Sequence, residues 1–388
     1  MRLLHTSDWH LGRSFHGASL LENQRAVLEE LVRLVKERHI GVVLISGDIY
    51  DRALPQVDAV KLCNSILGQL RAAGAKVIIT SGNHDSAARL GFAAELIDAA
   101  GVHIIADTTR MSTPVMVQGE DHQIAVYGIP YLEPRMVMAE LEAEKLSHES
   151  VVAAAVTRIQ QDLATRRAAA DTPVLAFSMA HLFAAGGVGS DSERELSVGN
   201  LDVVPVELFG PFDYSALGHL HGRQRLSHTV RYSGSPLAYS FSEANQRKAV
   251  WIIDTDASGV KEIEAVELSV PKKLAILRGK LQELLEDPEL AWAEEAWCQV
   301  TLTDTDRPAE AMTRIRTRFP DTVVLLFAPE ASTRNTRESY AQRLARAKST
   351  KEVCTDFIDH VRHRPADEHE QELVASVIRS VREAGSEK

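Results

Sequence analysis

GVVLISGDIYD, residues 41–51, is an apolar run that ends on a glycine and gives way to two aspartates. A short continuous apolar run of this kind is typical of a strand buried on both faces. Residues 22–39 before it and 55–74 after it have apolar side chains at helical spacing, and residues 75–85 form a second apolar run. With residues 1–10 as a further strand, the order is βαβαβ. This alternation predicts a sheet that is covered by helices on both faces.

The rhythm changes after about residue 106. Residues 113–132 are typical of a β-hairpin, two helical stretches follow to about residue 170, and residues 172–181 return to an apolar strand. Strands dominate from there to residue 268. An early half rich in βα units and a later half rich in strands predict an α/β fold of two packed sheets with helices outside. We expect this α/β/β/α sandwich to occupy residues 1–270.

A second, smaller domain is predicted after residue 270, where the composition shifts. Residues 271–287 read as a helix, and two strands at 296–304 and 321–329 flank a helix at 307–320. This order predicts a small α+β domain at residues 271–330.

The remaining residues divide into a basic linker, 331–350, and a helical segment, 351–388. Between residues 331 and 348 the chain has five Arg or Lys and one Glu. Such a run is either a solvated helix face or a contact for DNA phosphates. Residues 351–388 contain two amphipathic helix candidates separated by Pro365. Their apolar faces either bind a partner or pack against the protein's own body.

Composition and charge exclude several classes of protein. The chain has 388 residues, and a net charge of −11 argues against an overall basic surface for nucleic acid, although it leaves room for a local basic groove. No apolar run approaches the roughly 18 residues that a membrane span needs. The N-terminus also lacks the pattern of a secretion signal, so we expect a cytoplasmic protein. Cys63, Cys298 and Cys354 are far apart, and we expect them to be reduced, structural thiols.

Polar residues of unusual type follow five of the predicted strands. In layered α/β proteins, ligands bind outside the carboxyl ends of the strands, where the loops converge. Five of the 15 histidines lie at such positions. The groups are Asp8-Trp9-His10, Gly47-Asp48-Ile49-Tyr50-Asp51, Gly82-Asn83-His84-Asp85, His181 and Gly218-His219-Leu220-His221.

Each group alone has an ordinary explanation, but the set of five does not. An Asp after a strand is usually a turn residue or a helix cap, and two aspartates three residues apart can close a turn. A turn rarely needs Asn83 and His84 together, and His219 and His221 lie on the same side of an extended segment. The five groups in this order therefore indicate a metal site.

The residue types fit a pair of divalent ions. Two ions about 3.5–4 Å apart need a bridging carboxylate, imidazoles and an amide oxygen, and together they acidify a water that can attack phosphorus in line. Because no thiolate is present, Mn²⁺ or Fe²⁺ is favoured over a structural Zn²⁺. Gly47, Gly82 and Gly218 are expected to let the backbone turn sharply beside the ions.

The motifs D-x-H, G-D-x-x-D, G-N-H-D, H and G-H-x-H, in this order, resemble those of the calcineurin-like metallophosphoesterase superfamily. HTSDWHLG at residues 5–12, GNHDS at 82–86 and RYSGSPLAYSF at 231–241 further resemble the SbcD family of DNA nuclease subunits. This resemblance implies a metallophosphoesterase sandwich followed by a capping domain at 271–330. It also implies that residues 351–388 bind a partner.

The resemblance also implies a role for each polar residue. One ion would be held by Asp8, His10, Asp48 and His221. The second would be held by Asp48, Asn83, His181 and His219, so that Asp48 bridges the two.

Other polar residues beside the ligands have expected roles that do not involve binding metal. His84 matches the family's catalytic histidine, which meets the phosphate without binding metal. We expect Asp51 to orient His84 by a hydrogen bond, and Asp85 to cap the next helix. Arg52 either binds the scissile phosphate or faces solvent.

SbcD-like nucleases work with SbcC, an ABC-type ATPase with a long coiled coil. The chain has no GxxxxGK[ST] motif, so ATP is expected to act only through that partner. The resemblance implies two nuclease and two ATPase subunits, hence a homodimer in the complex. The complex would act as an ATP-dependent 3′–5′ exonuclease on duplex ends and as an endonuclease on single strands and hairpins, in DNA recombination, replication and repair.

Two other functions compete with this one. The same dimetal core could hydrolyse small phosphodiesters or nucleotides, although the extra residues after the core disfavour this. A non-catalytic scaffold on a decayed phosphoesterase fold is the other alternative, and the presence of every ligand type disfavours it.

Overall fold

The computed structural model describes residues 1–193, 203–329, 349–362 and 365–386. It contains two compact units, Met1–Leu274 and Ala275–Lys388. The basic run at 331–348 lies outside the described residues. Within the described part of the chain, no helix is long and apolar enough to cross a membrane.

The strands, in chain order, are β1 (Arg2–Thr6), β2 (Ser14–Phe15), β3 (Ala18–Ser19), β4 (Val42–Ser46), β5 (Lys76–Thr80), β6 (Val102–Ile105), β7 (Val115–Gln118), β8 (Gln123–Ile129), β9 (Val174–His181), β10 (Phe183–Ala184), β11 (Val203–Val204), β12 (Tyr214–Gly218), β13 (Gln224–Arg225), β14 (Val230–Tyr232), β15 (Ala249–Asp256), β16 (Gly259–Glu267), β17 (Leu274–Gly279), β18 (Trp297–Leu302) and β19 (Thr322–Phe327). The helices are α1 (Leu21–Glu37), α2 (Val57–Ala72), α3 (Ala87–Leu90), α4 (Ala94–Asp98), α5 (Pro134–Leu141), α6 (His148–Ala169), α7 (Leu281–Glu286), α8 (Ala311–Arg316), α9 (Thr350–Arg362) and α10 (Glu368–Ser386).

Two six-stranded sheets form the first unit. The first has the order β16-β15-β1-β4-β5-β6, and the second has the order β13-β14-β12-β9-β8-β7. In the first sheet β1, β4, β5 and β6 are parallel to one another. Strand β15 pairs antiparallel with both of its neighbours, β1 and β16. In the second sheet β8, β9, β12 and β14 are parallel and the edge strands are antiparallel. The predicted two-sheet sandwich is confirmed.

Alternate residues of the central strands enter two different cores, which explains why these strands are apolar throughout. On β8, Ile124 and Val126 lie in the core between the two sheets, together with Leu44 of β4. The intervening Tyr127 belongs to a second core beneath α6, which also contains Val151 of that helix. A strand covered on both faces has no position left for a solvated side chain.

The second unit is built on the three-stranded sheet β17-β18-β19, in which β18 and β19 are parallel. The prediction of one helix over residues 271–287 is wrong, because its first half is strand β17 and only α7 is helical. Side chains of β17 alternate: Leu277 is 4% exposed and its neighbour Ile276 is 51% exposed. A period of two is typical of a strand and incompatible with a helix face.

Candidate dimetal centre

The predicted metal ligands lie where the carboxyl ends of the two sheets meet. Asp8 and His10 follow β1, Asp48 follows β4, and Asn83 follows β5, three adjacent strands of the first sheet. In the second sheet, His181 ends β9, and His219 follows the neighbouring strand β12. Hydrogen bonds join the two edges: Ser46 Oγ donates to the carbonyl of Ala216 over 2.9 Å. The five groups that are scattered in sequence therefore converge in the fold.

The backbone is strained at four of the predicted ligands. Asp8, His10 and Asp48 have φ angles of 54°, 43° and 48°, and His219 has a φ of 104°. Non-glycine residues rarely adopt positive φ, at a cost of about 1–3 kcal/mol each, and such residues cluster at functional sites.

The glycines beside the ligands provide space, and only Gly47 has the positive φ, 81°, that a sharp turn needs. A Cβ at Gly82 would lie 2.1 Å from Asp48 Oδ1, and a Cβ at Gly218 would lie 1.8 Å from the carbonyl oxygen of Ser46. The prediction that Gly82 and Gly218 provide sharp turns is therefore wrong. Glycine is needed at these two positions because the backbone there approaches a carboxylate or another strand more closely than any side chain permits.

The first predicted ligand set is brought together around two imidazoles. His10 Nε2 lies 3.1 Å from His221 Nε2 and 3.5 Å from Asp48 Oδ2. Ligand atoms of Asp8, His10 and His221 all lie within 4.8 Å of one another. All four side chains are buried, with at most 2% of each residue exposed.

The second predicted set shares Asp48 with the first. His181 Nε2 lies 3.3 Å from Asp48 Oδ2 and 2.9 Å from Asn83 Oδ1. The imidazole of His219 lies with its centroid 5.4 Å from that of His181. The same carboxylate oxygen thus faces an imidazole from each set, which is the place expected for a bridging ligand.

Hydrogen bonds at Nδ1 fix the orientation of two imidazoles. His181 Nδ1 lies 3.0 Å from the carbonyl of Ser46, and His84 Nδ1 lies 2.7 Å from the carbonyl of Asp51. A carbonyl oxygen only accepts, so in both rings Nδ1 carries the hydrogen. In neutral His181 the lone pair is then on Nε2, the atom that faces Asp48 and Asn83.

Electrostatics at the site fit cationic occupants. Burial lowers the pKa of His219 to about 3, so this imidazole stays neutral, the form that binds metal. Burial raises the pKa of Asp8 to about 6, although His181 and His221 oppose this shift. Burial also favours the neutral form of Asp48, but His181 and His10 outweigh it and hold the Asp48 pKa well below its usual range.

The donor set passes the test of fit for divalent ions. Two buried carboxylates, four imidazoles and one amide oxygen converge without a thiolate, a set suited to Mn²⁺ and Fe²⁺. Because His10 Nε2 and His221 Nε2 face each other, only one of them can donate to the other. A cation between nitrogen and carboxylate donors would satisfy both rings and both acids.

The sequence predicts that Asp85 caps the following helix, and this prediction is wrong. Its carboxylate accepts hydrogen bonds from the backbone N–H groups of Ile49, Tyr50 and Gly82, at 3.1, 3.0 and 2.9 Å. The N-cap of α3 is Ser86, which makes no side-chain cap bond. Asp85 therefore ties the loop of Asp48 to the loop of Asn83, the two loops that carry the bridging and amide ligands.

Asp51 contacts His84 through its main-chain carbonyl, while its carboxylate points elsewhere. The carboxylate lies 3.3 Å from Arg13 Nη1 and 3.7 Å from His10 Nδ1. Arg13 in turn donates to the carbonyl of Ser192 over 2.9 Å. The Arg52 side chain is 74% exposed, with Nε 3.8 Å from Asp51.

Sequence reasoning missed a group of buried polar residues around His221. Ser192 Oγ lies 2.6 Å from His221 Nδ1, and Glu193 Oε1 accepts from the N–H of His221 over 2.7 Å. Glu243 and Lys248 form a buried ion pair next to Ser192. Their only sequence signal is that Glu243 comes two residues after the RYSGSPLAYSF stretch at 231–241.

Two models of known protein families match parts of the chain. A model of the calcineurin-like phosphoesterase family matches residues 1–122. A second model, of the SbcD C-terminal domain, described as the type 5 capsule protein repressor C-terminal domain, matches residues 270–362. Together the two matches identify an SbcD-type protein. Its calcineurin-like domain makes it a metal-dependent phosphoesterase.

Solved structures with a similar fold are distant from this SbcD-type chain. TT1561 of Thermus thermophilus is 13% identical with a TM-score of 0.40, covering 69% of this chain and 98% of its own. A dimetal phosphatase from Danio rerio is 12% identical with a TM-score of 0.39, covering 69% and 99%. GAP50, the anchor in the inner membrane complex of Plasmodium, is 10% identical with a TM-score of 0.37, covering 86% and 99%. The family matches, and not these likenesses, carry the assignment.

We predict that Gly82→Ala abolishes binding of both ions by the SbcD-type centre. The new Cβ would lie 2.1 Å from Asp48 Oδ1 and 2.3 Å from the Asp48 nitrogen, so the bridging carboxylate must move. Metal content by mass spectrometry of the purified protein measures this. Gly68→Ala on α2 is the matched control, because nothing lies within 4 Å of its Cβ. Full metal content in Gly82→Ala would contradict the bridging role of Asp48.

Proposed function

We propose that the protein is the nuclease subunit of an SbcCD-type complex and hydrolyses phosphodiester bonds in DNA with two divalent ions, most favourably Mn²⁺. The observation that carries this proposal is the convergence of the predicted ligands and His84 in one cluster of side chains. The chain that forms this cluster also matches the SbcD C-terminal domain at residues 270–362. Fe²⁺ suits the same donors.

The ligands are assigned as the sequence predicted. Asp8, His10, Asp48 and His221 hold one ion, and Asn83, His181 and His219 join Asp48 at the other. Bound there, the ions would polarise the phosphate and activate a water for in-line attack. Burial keeps the imidazoles of His10 and His219 neutral, and Asp48 is ionised, so these three donors need no change of protonation before an ion binds.

His84 is the residue proposed to meet the phosphate. A ring nitrogen of His84 lies within 4.8 Å of ligand atoms of His10 and Asp48, and the residue is 6% exposed. The carbonyl of Asp51 accepts from Nδ1, so Nε2 is the atom that can hold a proton for the leaving oxygen. The contribution of Asp51 to this role is its backbone position.

The apolar side chains of α10 support a role in binding the SbcC-type ATPase. Leu373, Val377 and Val381 recur every four residues and are 58%, 53% and 67% exposed. Residues at this spacing share one face of a helix, and such a face is suited to a groove or a coiled coil. ATP would then act only through the partner.

A patch on the first sheet's helical layer supports a homodimer within a complex of two nuclease and two ATPase subunits. Arg89 Nη1 donates to the carbonyl of Ala53 over 3.0 Å, which joins the segment before α2 to α3. Large apolar side chains at these joined segments are exposed by 42–81%. The patch consists of Leu54, Val57, Val60, Phe92 and Leu96. Contiguous exposed apolar side chains are typical of protein interfaces.

The full proposed activity follows that of the family. The complex would act as a 3′–5′ exonuclease on duplex ends and as an endonuclease on single strands and hairpins, in recombination, replication and repair, in the cytoplasm beside the nucleoid. A small-molecule or nucleotide phosphodiesterase on the same dimetal core is the alternative, since the pocket recognises a phosphodiester and not a base.

We expect the purified protein with Mn²⁺ to cleave a DNA hairpin, and His84→Gln to lose at least about 100-fold of that rate, the usual range for a general acid. The variant should keep two ions per chain, because His84 binds neither. Wild type and variant are assayed on the hairpin and on a small aryl phosphodiester, with and without the ATPase. Cleavage of the small diester alone would favour the alternative, and an active His84→Gln would overturn the role of His84.

We predict that deleting residues 351–388 abolishes co-purification with the ATPase and spares cleavage of the small diester. A finer test is Leu373→Glu with Val377→Glu, which charges the apolar face of α10 and should have the same effect. Arg379→Glu changes the charge by the same two units on the opposite, exposed side of α10 and should leave binding intact. If the protein still binds the ATPase with both Leu373→Glu and Val377→Glu, these helices pack only against the protein's own body.

We expect Leu54→Glu with Phe92→Glu to convert a homodimer into a monomer in sedimentation analysis, because two charges would be desolvated in the interface. Leu146→Glu is the control, an exposed apolar residue before α6 in the layer of the second sheet. A wild-type monomer, or a dimer that tolerates both charges, would contradict the proposed interface.

A further inference from the structure

A buried charged pair lies directly behind His221. Glu243 is 1% exposed and Lys248 is 3% exposed, and Lys248 Nζ donates to Glu243 Oε2 over 2.5 Å. Burying two charges is costly unless further hydrogen bonds compensate for the lost water. Each member of this pair makes such bonds, and they lead to the same residue, His221.

Ser192 connects the Glu243 carboxylate to the His221 ring. Its hydroxyl lies 2.5 Å from Glu243 Oε1 and 2.6 Å from His221 Nδ1. A hydroxyl has one hydrogen, and the carboxylate, kept ionised beside Lys248, can only accept. Ser192 therefore donates to Glu243, and His221 Nδ1 must donate to Ser192. The chain of bonds fixes the Nδ1–H form of His221 and leaves the lone pair on Nε2.

The main chain of His221 is held by the same array. Lys248 Nζ donates to the His221 carbonyl over 2.9 Å, and Glu193 Oε1 accepts from the His221 N–H over 2.7 Å. The N–H of Ser235 adds a third bond, to the carbonyl, at 3.1 Å. Ring and backbone are thus fixed together, which leaves His221 little freedom to rotate.

His10 offers the contrast within the same ligand set. Its Nε2 lies 3.1 Å from His221 Nε2, but its Nδ1 is among the described buried atoms without a hydrogen-bond partner. Asp51 Oδ1, at 3.7 Å, is too far from His10 Nδ1 for a hydrogen bond, so no hydrogen bond in the described structure fixes the tautomer of His10. His221 is fixed in the metal-binding form before any ion arrives.

We propose that Ser192, Glu243 and Lys248 are positioning residues that hold His221 in one orientation and one tautomer for a divalent ion. This inference rests on the proposed dimetal function, since it assigns the cause of affinity at one of its two ions. The array touches no residue of the His181, Asn83 and His219 set in the described contacts. Its direct effect is therefore on the ion at Asp8, His10, Asp48 and His221, the set that contains His221.

Titration of the full-length protein with Mn²⁺ alone, followed by calorimetry, tests this proposal. Groups that orient a metal-binding histidine typically contribute 10–100-fold to metal affinity, so we expect Ser192→Ala and Glu243→Gln each to weaken one of two Mn²⁺ sites by about that factor. Ser192→Thr keeps the hydroxyl and should restore affinity. Ser178→Ala removes an equally buried hydroxyl, bonded only to Ser215 among the described contacts, and should change nothing.

A second pair of variants separates positioning from stability. Glu243→Gln with Lys248→Met removes both charges, whereas Glu243→Gln alone leaves Lys248 buried without its ion-pair partner, which destabilises the fold. We expect this variant to unfold at a higher urea concentration than Glu243→Gln and still to bind one Mn²⁺ weakly. Restored affinity in the double variant would make the pair purely structural and overturn the proposal.

The same measurements distinguish failure of the positioning role from failure of the proposed dimetal function. Two Mn²⁺ sites in wild type that are unchanged in Ser192→Ala would overturn the positioning role and leave the dimetal phosphodiesterase standing. A wild-type protein that binds no Mn²⁺ would overturn both the positioning role and the proposed dimetal function. Electron paramagnetic resonance of the coupled Mn²⁺ pair provides a readout independent of hydrolysis: Ser192→Ala should lose the coupled spectrum at low Mn²⁺ and regain it at high Mn²⁺.

Discussion

The Asp48 carboxylate is the interaction on which the rest of the structure depends. One of its oxygens faces His10 from the first sheet and His181 from the second, at 3.5 and 3.3 Å. The other oxygen accepts the N–H of His84 over 2.8 Å. A 2% exposed carboxylate is tolerated only where hydrogen bonds and positive charge replace water. The two sheets must meet closely enough to supply those partners, which fixes their relative position at this edge.

The positive φ angles are the consequence of that requirement. Asp8, His10 and Asp48 could relax to ordinary backbone angles only by swinging their side chains away from the shared centre. Strain of this size persists only when the surroundings over-determine it. They do so here: β1 and β4 are buried on both faces, and the N–H groups of Asp8 and His10 are bonded to the carbonyls of Gly47 and Asp48. Buried strands and these hydrogen bonds thus hold the polar loops in a costly conformation.

Sequence patterns predicted the strand ends well because the physics there is local. An apolar run that stops on Gly-Asp or Gly-Asn-His predicts both a strand and the position of its polar end. The βαβ order then predicts that the carboxyl ends of the parallel strands lie together. The pattern failed where two periods compete over a few residues, as in residues 271–287, where Leu274 to Leu277 fit a helix or a strand until burial separates them. It also failed at Asp85, because a carboxylate before a helix suits a cap as well as a bond to the distant N–H of Tyr50.

Contacts between distant residues could not be predicted from motif spacing. Ser192, Glu243 and Lys248 each look ordinary in sequence, and only the fold places them behind His221. The same limit applies to substrate choice. A cluster of carboxylates and imidazoles suits the phosphodiester group common to DNA and small diesters, so a choice between these two substrates would be made by surfaces outside the cluster. Changes that redirect substrate choice can therefore leave the residues of the candidate metal site untouched.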